Sequence, residues 1–314
     1  MTARARSAGA AALTPARLRR IPLPRLDEGG DKEERGRVLV AGGERQNPGA
    51  LLLAGTAALR AGAGKLRLAA PRSIAVALGV AVPEAAVVGL AETKEGAVSP
   101  RAARELAEMA GRVDAFLLGP GMIDEASATP LTRGVLERLD GPAVVLDAGC
   151  FPCLAERRGA LHRLDGRVVI TPHAGEMARL LEMEKDEVLA DPLAVARRAA
   201  EELGAVVALK GAATFIVAPD GEAYRYDGGG VGLATSGSGD TLAGIVAGLL
   251  ARGASPVRAA AWAVYLHGEA GNALAETHGR VGFLARELLA EVPVLMAEFD
   301  GSRPRRRRGP VTEE

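Results

Sequence analysis

Short runs of branched apolar residues alternate along this chain with Ala- and Leu-rich stretches, and the runs end in Gly, Pro or a polar group. That alternation constrains the fold more than any other feature. Val38-Leu39-Val40-Ala41-Gly42-Gly43 reads as a buried strand closing on a glycine turn, and Asn47-Pro48-Gly49-Ala50 leads into a helix over 51–61. Further strands read at 66–70, 115–118, 143–147, 168–173 and 206–211. Helices read from Ser99-Pro100 to about 109, and over 130–139, 176–181 and 192–203, with Pro at the first helical position where it is tolerated. Runs 214–218 and 223–226 suit a hairpin turning at Pro219-Asp220-Gly221. Helices beginning at about 240, 256 and 283 follow.

Strands alternating with helices predict an α/β fold with a central, mostly parallel sheet flanked by helices on both faces. Ligands in such sheets bind outside the carboxyl ends of the strands. The distinctive residues gather there: Gly42-Gly43, Gly119-Pro120-Gly121, Asp147, Thr171-Pro172-His173 and Lys210-Gly211. With aromatics at only 3%, the core must be built from Ala, Val, Leu and Ile. No repeat and no linker is visible, so 25–299 reads as one domain. The Ala-, Arg- and Pro-rich start, 1–24, reads as a disordered basic tail, with an organellar transit peptide as the alternative. The Arg-rich end, 300–314, reads as a second solvated, disordered tail.

The chemistry points to Gly228–Asp240. A glycine-rich loop runs through Thr235-Ser236-Gly237-Ser238-Gly239-Asp240 into the apolar helix that follows. Glycine lets a ligand approach the backbone, and the first turn of a helix offers unpaired N–H groups to an anion. A carboxylate at that point repels phosphate. Asp240 makes sense as the base that takes a proton from a hydroxyl attacking the phosphate; its plainer reading is a helix N-cap. Lys210 at a strand end suits phosphate, or is a surface lysine. Asp147 orders metal-bound water or caps a turn. His267 reads as a satisfied core histidine. Gly244 and Gly248, one turn apart, imply close contact of their helix with a neighbour.

The formal net charge of zero gives no reason to expect nucleic acid or an anionic membrane as partner, and no apolar run is long enough to span a bilayer. Cys150 and Cys153 are the whole thiol inventory. They read as two unpaired thiols in a reducing cytoplasm, since a zinc site needs two more ligands and none is near; a redox pair is the alternative.

Three pieces together resemble a known family: Thr171-Pro172-His173-Ala174-Gly175-Glu176-Met177, Leu209-Lys210-Gly211-Ala212-Ala213-Thr214, and Gly232-Leu233-Ala234-Thr235-Ser236-Gly237-Ser238-Gly239-Asp240. They are similar to the ADP- or ATP-dependent NAD(P)H-hydrate dehydratases, which have a ribokinase-like fold. The resemblance implies metabolite repair. The S epimer of hydrated NADH or NADPH is phosphorylated on its ring hydroxyl, and phosphate then leaves to restore the reduced nicotinamide. It implies Asp240 as catalytic base, and Lys210, Gly211, Ala212, Ala213, Thr214, Gly237, Ser238 and Gly239 on the nucleotide. It places Ala50, Gly121, His173 and Asp240 on the hydrated dinucleotide. ADP or ATP is the implied phosphoryl donor, Mg²⁺ the implied cofactor with no ligand cluster to point to, and a homo-oligomer the implied assembly. The epimerase often fused in front of such domains is expected as a separate partner.

The chain departs from the pattern at Asp147-Ala148-Gly149, where the family has a second carboxylate in place of Gly149, and at Ile123, Ala174 and Asp31-Lys32-Glu33-Glu34. Two other readings stay open. One is a small-molecule kinase of the same fold that releases a phosphate ester of a vitamin-precursor type. The other is a nucleotide sensor without catalysis.

Overall fold

The structure is a computed structural model and describes residues 9–24 and 35–300. Ten strands lie in one sheet: β1 Ala11–Ala12, β2 Arg37–Ala41, β3 Lys65–Pro71, β4 Ala85–Leu90, β5 Ala115–Leu118, β6 Ala143–Leu146, β7 Val168–Ile170, β8 Val206–Leu209, β9 Thr214–Val217 and β10 Ala223–Tyr226. The helices are α1 Pro15–Leu18, α2 Gly49–Arg60, α3 Arg72–Ala81, α4 Ala103–Ala110, α5 Glu125–Leu136, α6 Phe151–Glu156, α7 Ala174–Leu181, α8 Lys185–Ala190, α9 Pro192–Leu203, α10 Ser238–Ala251, α11 Pro256–His278 and α12 Ala285–Asp300. The spatial order is β1-β10-β9-β8-β7-β6-β5-β2-β3-β4. The pairs from β4 through β8 are parallel, β9 runs antiparallel to both β8 and β10, and β1 pairs parallel with β10.

Two-residue periodicity splits the core. Val38, Val40, Leu117, Val145 and Val169 point to the face covered by α2, α10 and α11. Their neighbours Leu39, Phe116, Leu118, Val144 and Ile170 point to the face covered by α4, α5, α7 and α9. Successive side chains on a strand face opposite sides, so strands apolar at every position are buried on both.

The chain walks outward from β2 to β3 and β4, then returns to β5 and walks the other way. The reversal lies between β2 and β5, where a parallel sheet opens a crevice at its carboxyl edge. Glycines make the crevice. Gly43 N donates to Pro120 O at 2.7 Å. A Cβ on Gly119 (φ +124) would sit 1.9 Å from Asp147 O, so no other residue fits there without moving the backbone.

Helix α10 meets α2 through the two glycines foreseen from the sequence. A Cβ on Gly244 would lie 2.1 Å from Ala54 O, and one on Gly248 2.4 Å from Ala58 O. Both helix backbones thus approach far closer than side chains would allow.

Several expectations need correction. The tail expected over 1–24 holds no longer for 9–24. Ala11 pairs with Tyr224, Leu13 N donates to Arg225 O at 2.8 Å, and Leu18 is buried. Trp262 Nε1 donates to Ile21 O at 2.8 Å. Thr14 caps α1 with Pro15 at its first position, a local signal that the Arg-rich composition hides. Residues 1–8 lie outside the described residues, as do Asp31 to Glu34 and the tail expected over 300–314 except Asp300, which ends α12. The sequence reading assigns nothing to 72–90, yet α3 and β4 lie there. Their Ala and Val residues show neither helical nor strand periodicity clearly. Helix α5 begins at Glu125 and contains Pro130, because Glu44 Oε1 accepts from the backbone N–H groups of Ile123 (2.5 Å) and Asp124 (2.6 Å) and fixes an earlier start.

Candidate active site

Three strand ends and one helix start converge. Asp147 follows β6 and is almost wholly buried, at 3% exposure. Thr171 Oγ1, just past β7, donates to Asp147 Oδ1 at 2.7 Å. Lys210, just past β8, places Nζ 3.6 Å from the same oxygen. Its backbone N–H donates to Pro172 O at 2.8 Å, so its position is fixed at both ends. A Cβ on Gly239 would lie 3.3 Å from Lys210 Nζ, which puts the ammonium beside the first turn of α10.

Gly237 takes up φ +86 and turns the chain into α10. Thr241 N donates to Gly237 O at 3.0 Å, the first bond of the helix. Of the three amides expected to face an anion, that of Ser238 already donates to Thr235 O at 3.3 Å. The first-turn N–H groups of Gly239 and Asp240 have no helical acceptor of their own.

Asp240 is partly buried at that turn. Burial first, and then the charge of Asp147, push its carboxyl up to about 7, while Lys210 pulls the other way. A carboxylate near neutrality is matched to proton transfer at neutral pH. A simple N-cap would be hydrogen-bonded to the helix; here the N-cap position belongs to Gly237 and Asp240 lies within the first turn.

A cavity of about 740 Å³ opens beside this cluster. Of the expected nucleotide set, Lys210, Gly211, Ala212, Thr214, Ser238 and Gly239 line it. Ala213 does not, and lies against the core beneath the sheet. Gly237 does not either; it abuts Leu53. His173 lines the same cavity, bridged to Lys210. Its Nδ1 accepts from the N–H groups of Gly175 (3.0 Å) and Glu176 (3.2 Å), capping α7. Ala50 and Gly121 stand apart from that cavity and beside each other, a Cβ on Gly121 falling 2.9 Å from Ala50 Cβ.

Sequence reasoning undervalued His267. It is buried, but it lines the cavity, and Ser238 Oγ lies 2.9 Å from its Nε2. Only its spacing from the glycine loop could have hinted at this, and helical periodicity alone does not reveal which cavity a buried face borders. The cavity mouth is held from α11: Tyr226 OH donates to Glu269 Oε1 at 2.7 Å, and Gly229 N to Asn272 Oδ1 at 3.1 Å.

Gly149 stands where the resemblance implies a second carboxylate. A Cβ there would lie 2.6 Å from both Met122 Cβ and Met122 O, so the local backbone leaves no space for one. Among the described residues no group of three or more His, Cys, Asp or Glu could hold a metal. Asp147 and the phosphates of a nucleotide are donors of the kind Mg²⁺ takes, since that ion commonly keeps its waters and binds few protein carboxylates. Cys150 and Cys153 are both free and buried, and burial raises both thiols. Among the described residues no helix is long and apolar enough to cross a membrane.

The family model for NAD(P)H-hydrate dehydratase matches residues 38–294. An ADP-dependent (S)-NAD(P)H-hydrate dehydratase of Xanthomonas campestris is 47% identical over 287 residues, covering 90% of this chain and 95% of that protein. A bifunctional NAD(P)H-hydrate repair enzyme of Moorella thermoacetica is 41% identical over 90% of this chain, which spans 53% of that longer protein. Among solved structures, the ADP/ATP-dependent NAD(P)H-hydrate dehydratase of Bacillus subtilis, co-crystallised with ATP and Mg²⁺, superposes with a TM-score of 0.77 at 30% identity, over 92% of this chain and 99% of that one. A ribokinase-like protein of Enterococcus faecalis gives a TM-score of 0.79 at 29% identity, over 92% and 96%. With its carboxylate, lysine and glycine turn gathered at one sheet edge, this ribokinase-like chain belongs to the NAD(P)H-hydrate dehydratase family.

Proposed function

We propose that this chain restores hydrated NADH and NADPH, as the S epimer, to the reduced dinucleotides at the expense of a nucleotide. The observation that carries this is the carboxyl of Asp240, held near neutrality beside Lys210 at an anion-binding turn. Asp240 takes the proton of the ring hydroxyl, whose oxygen attacks the terminal phosphoryl group of the donor. The donor leaves one phosphate shorter. Phosphate is a far better leaving group than hydroxide. The ring nitrogen pushes it out, the neighbouring carbon gives up a proton, and the double bond returns. The N–H groups of Gly239 and Asp240 and the Lys210 ammonium offset charge on the transferred group.

ADP is the donor we favour, because the 47% identical relative is ADP-dependent. Mg²⁺ would be held by the donor's phosphates with Asp147, and would neutralise phosphate charge. Ala50 and Gly121 are assigned to the hydrated dinucleotide, with His173 at the border of the two ligands. The cytoplasm is the assigned compartment, in keeping with two free thiols. A homo-oligomer, with a hydrate epimerase as functional partner, completes the proposal.

The test is incubation of enzymatically hydrated NADH with ADP or ATP and Mg²⁺. Recovery of the reduced-nicotinamide absorbance is expected. A stable phosphate ester without that absorbance would make the protein a small-molecule kinase, and nucleotide binding without turnover would make it a sensor.

Lys210→Ala is expected to weaken donor binding roughly tenfold to a hundredfold, the scale of a lost charge-assisted contact, and to change affinity for the hydrated dinucleotide much less. Titration of each ligand separately checks this; equal losses would remove Lys210 from the donor site.

A further inference from the structure

The chemistry above leaves one buried side chain on the cavity wall, His267, without a task, and it is paired with Ser238. Ser238 and His267 are 4% and 8% exposed, and Ser238 Oγ lies 2.9 Å from His267 Nε2. Ser238 opens α10, while His267 lies in the middle of α11. Both border the cavity beside Lys210 and Gly239.

Ser238 is flanked by Gly237 and Gly239, so the turn that must meet phosphate is built on conformationally permissive backbone. A loose turn must be ordered when a ligand binds, and that ordering subtracts from affinity. Helix α11 is a firm support, since its residues 259–268 are buried throughout, its Glu269 is bonded to Tyr226 of β10 and its Asn272 to Gly229 of the facing loop. A tether from α11 to the single side chain between two glycines removes the looseness before the donor arrives.

We propose that His267 is a positioning residue for the phosphoryl donor, acting through Ser238 Oγ to fix the first turn of α10 and its phosphate-facing amides. The proposal rests on the donor occupying the cavity beside Lys210. Burial, with Lys210 adding to it, lowers the imidazole to about 4, so the ring is neutral at physiological pH and does not compete with Lys210 for phosphate charge. The ordinary alternative is a histidine that merely fills the core; it predicts lost stability and unchanged donor affinity.

The experiment is calorimetric titration of the full chain with ADP, using His267→Ala, Ser238→Ala, the double variant and His267→Gln. Each alanine variant is expected to weaken ADP binding about tenfold, or roughly 1.4 kcal/mol. The double variant should be no more than about twofold worse than either, because both remove the same link. Gln places an amide where Nε2 lies and should recover most of the affinity, and the hydrated dinucleotide should bind all variants alike. Unchanged ADP affinity in either alanine variant, or losses that add to a hundredfold in the double variant, would overturn the proposal. Should His267→Ala fail to fold, Ser238→Ala and His267→Gln decide it: the first must lose about tenfold and the second must not. Absence of ADP binding by the unaltered chain would instead remove the donor assignment on which the proposal stands.

Discussion

Asp240→Asn is expected to bind ADP within a few-fold of the unaltered chain and to lose turnover by roughly 10²–10⁴-fold, the range for removal of a general base. Asn keeps the volume and cannot accept the hydroxyl proton. Near-normal turnover in this variant would rule out Asp240 as base. The same substitution should affect stability with a definite sign. The folded carboxyl titrates at about 7 against an ordinary value of 3.8. The folded state therefore holds this proton more tightly than the unfolded chain does. The resulting stabilisation is present in full below about pH 4 and is lost as pH rises through 7, where the ionised group sits partly buried beside Asp147. Asn carries no such charge. It should match the wild type near pH 4 and exceed it at pH 8 by on the order of 3 kcal/mol, discounted for partial exposure. Denaturant titrations at the two pH values check this. A variant less stable than wild type at pH 8 would contradict the picture of a carboxylate held against its preference. In the unaltered protein, kcat/KM for the hydrated dinucleotide should rise with pH to a plateau just above 7, as the free enzyme's base ionises.

Gly244→Ala is expected to be the most damaging single-methyl change at the contact between α2 and α10. The new Cβ would lie 2.1 Å from Ala54 O and 2.8 Å from Ala54 C, both backbone atoms of α2. No rotamer change relieves such a contact, so one helix must move. Overpacking of this kind costs about 1–3 kcal/mol, and more where only backbone can yield. A fall in melting temperature of roughly 4–10 °C should follow. The damage should also reach the chemistry, since α2 carries Ala50 at its start and α10 carries Asp240 at its own. The KM for the hydrated dinucleotide should rise, and Ser in place of Ala should behave similarly. A well-folded Gly244→Ala protein with an unshifted melting temperature would mean that the helices are not in contact through this glycine.

The sheet and its ligand edge were legible because their signal is local. Val38-Leu39-Val40, Val144-Val145-Leu146 and Val206-Val207-Ala208 are β-branched runs that stop at glycine or a polar group, and each became a strand with the distinctive residue just past its end. Asp240 was legible because a carboxylate amid anion-binding glycines is chemically conspicuous. What failed to show was whatever depends on distant partners. Residues 72–90 are apolar without a clear period, and only packing decides that Ile74 and Leu78 belong to a helix and 85–90 to an edge strand. Gly211, Ala212 and Thr214 line the cavity and Ala213 does not, because the chain bends through 211–213 before β9 and turns Ala213 onto the core. His267 looked like any buried helical histidine until the turn it holds was brought across from another helix. Gly149 shows the reverse case. Its departure from the family pattern was visible at once, but its cause, the backbone of Met122, was not.

Pairing β1 with β10 has a consequence for biosynthesis. The carbonyl of Ile21 meets the indole of Trp262 across a separation of 241 residues, and Pro24 meets the buried guanidinium of Arg252 across 228. Residues 21–24 are therefore synthesised well before the surfaces they dock on. Contacts so remote along the chain form slowly. The segment must therefore wait, undocked, until Arg252 and Trp262 have emerged, and this part of the domain closes late.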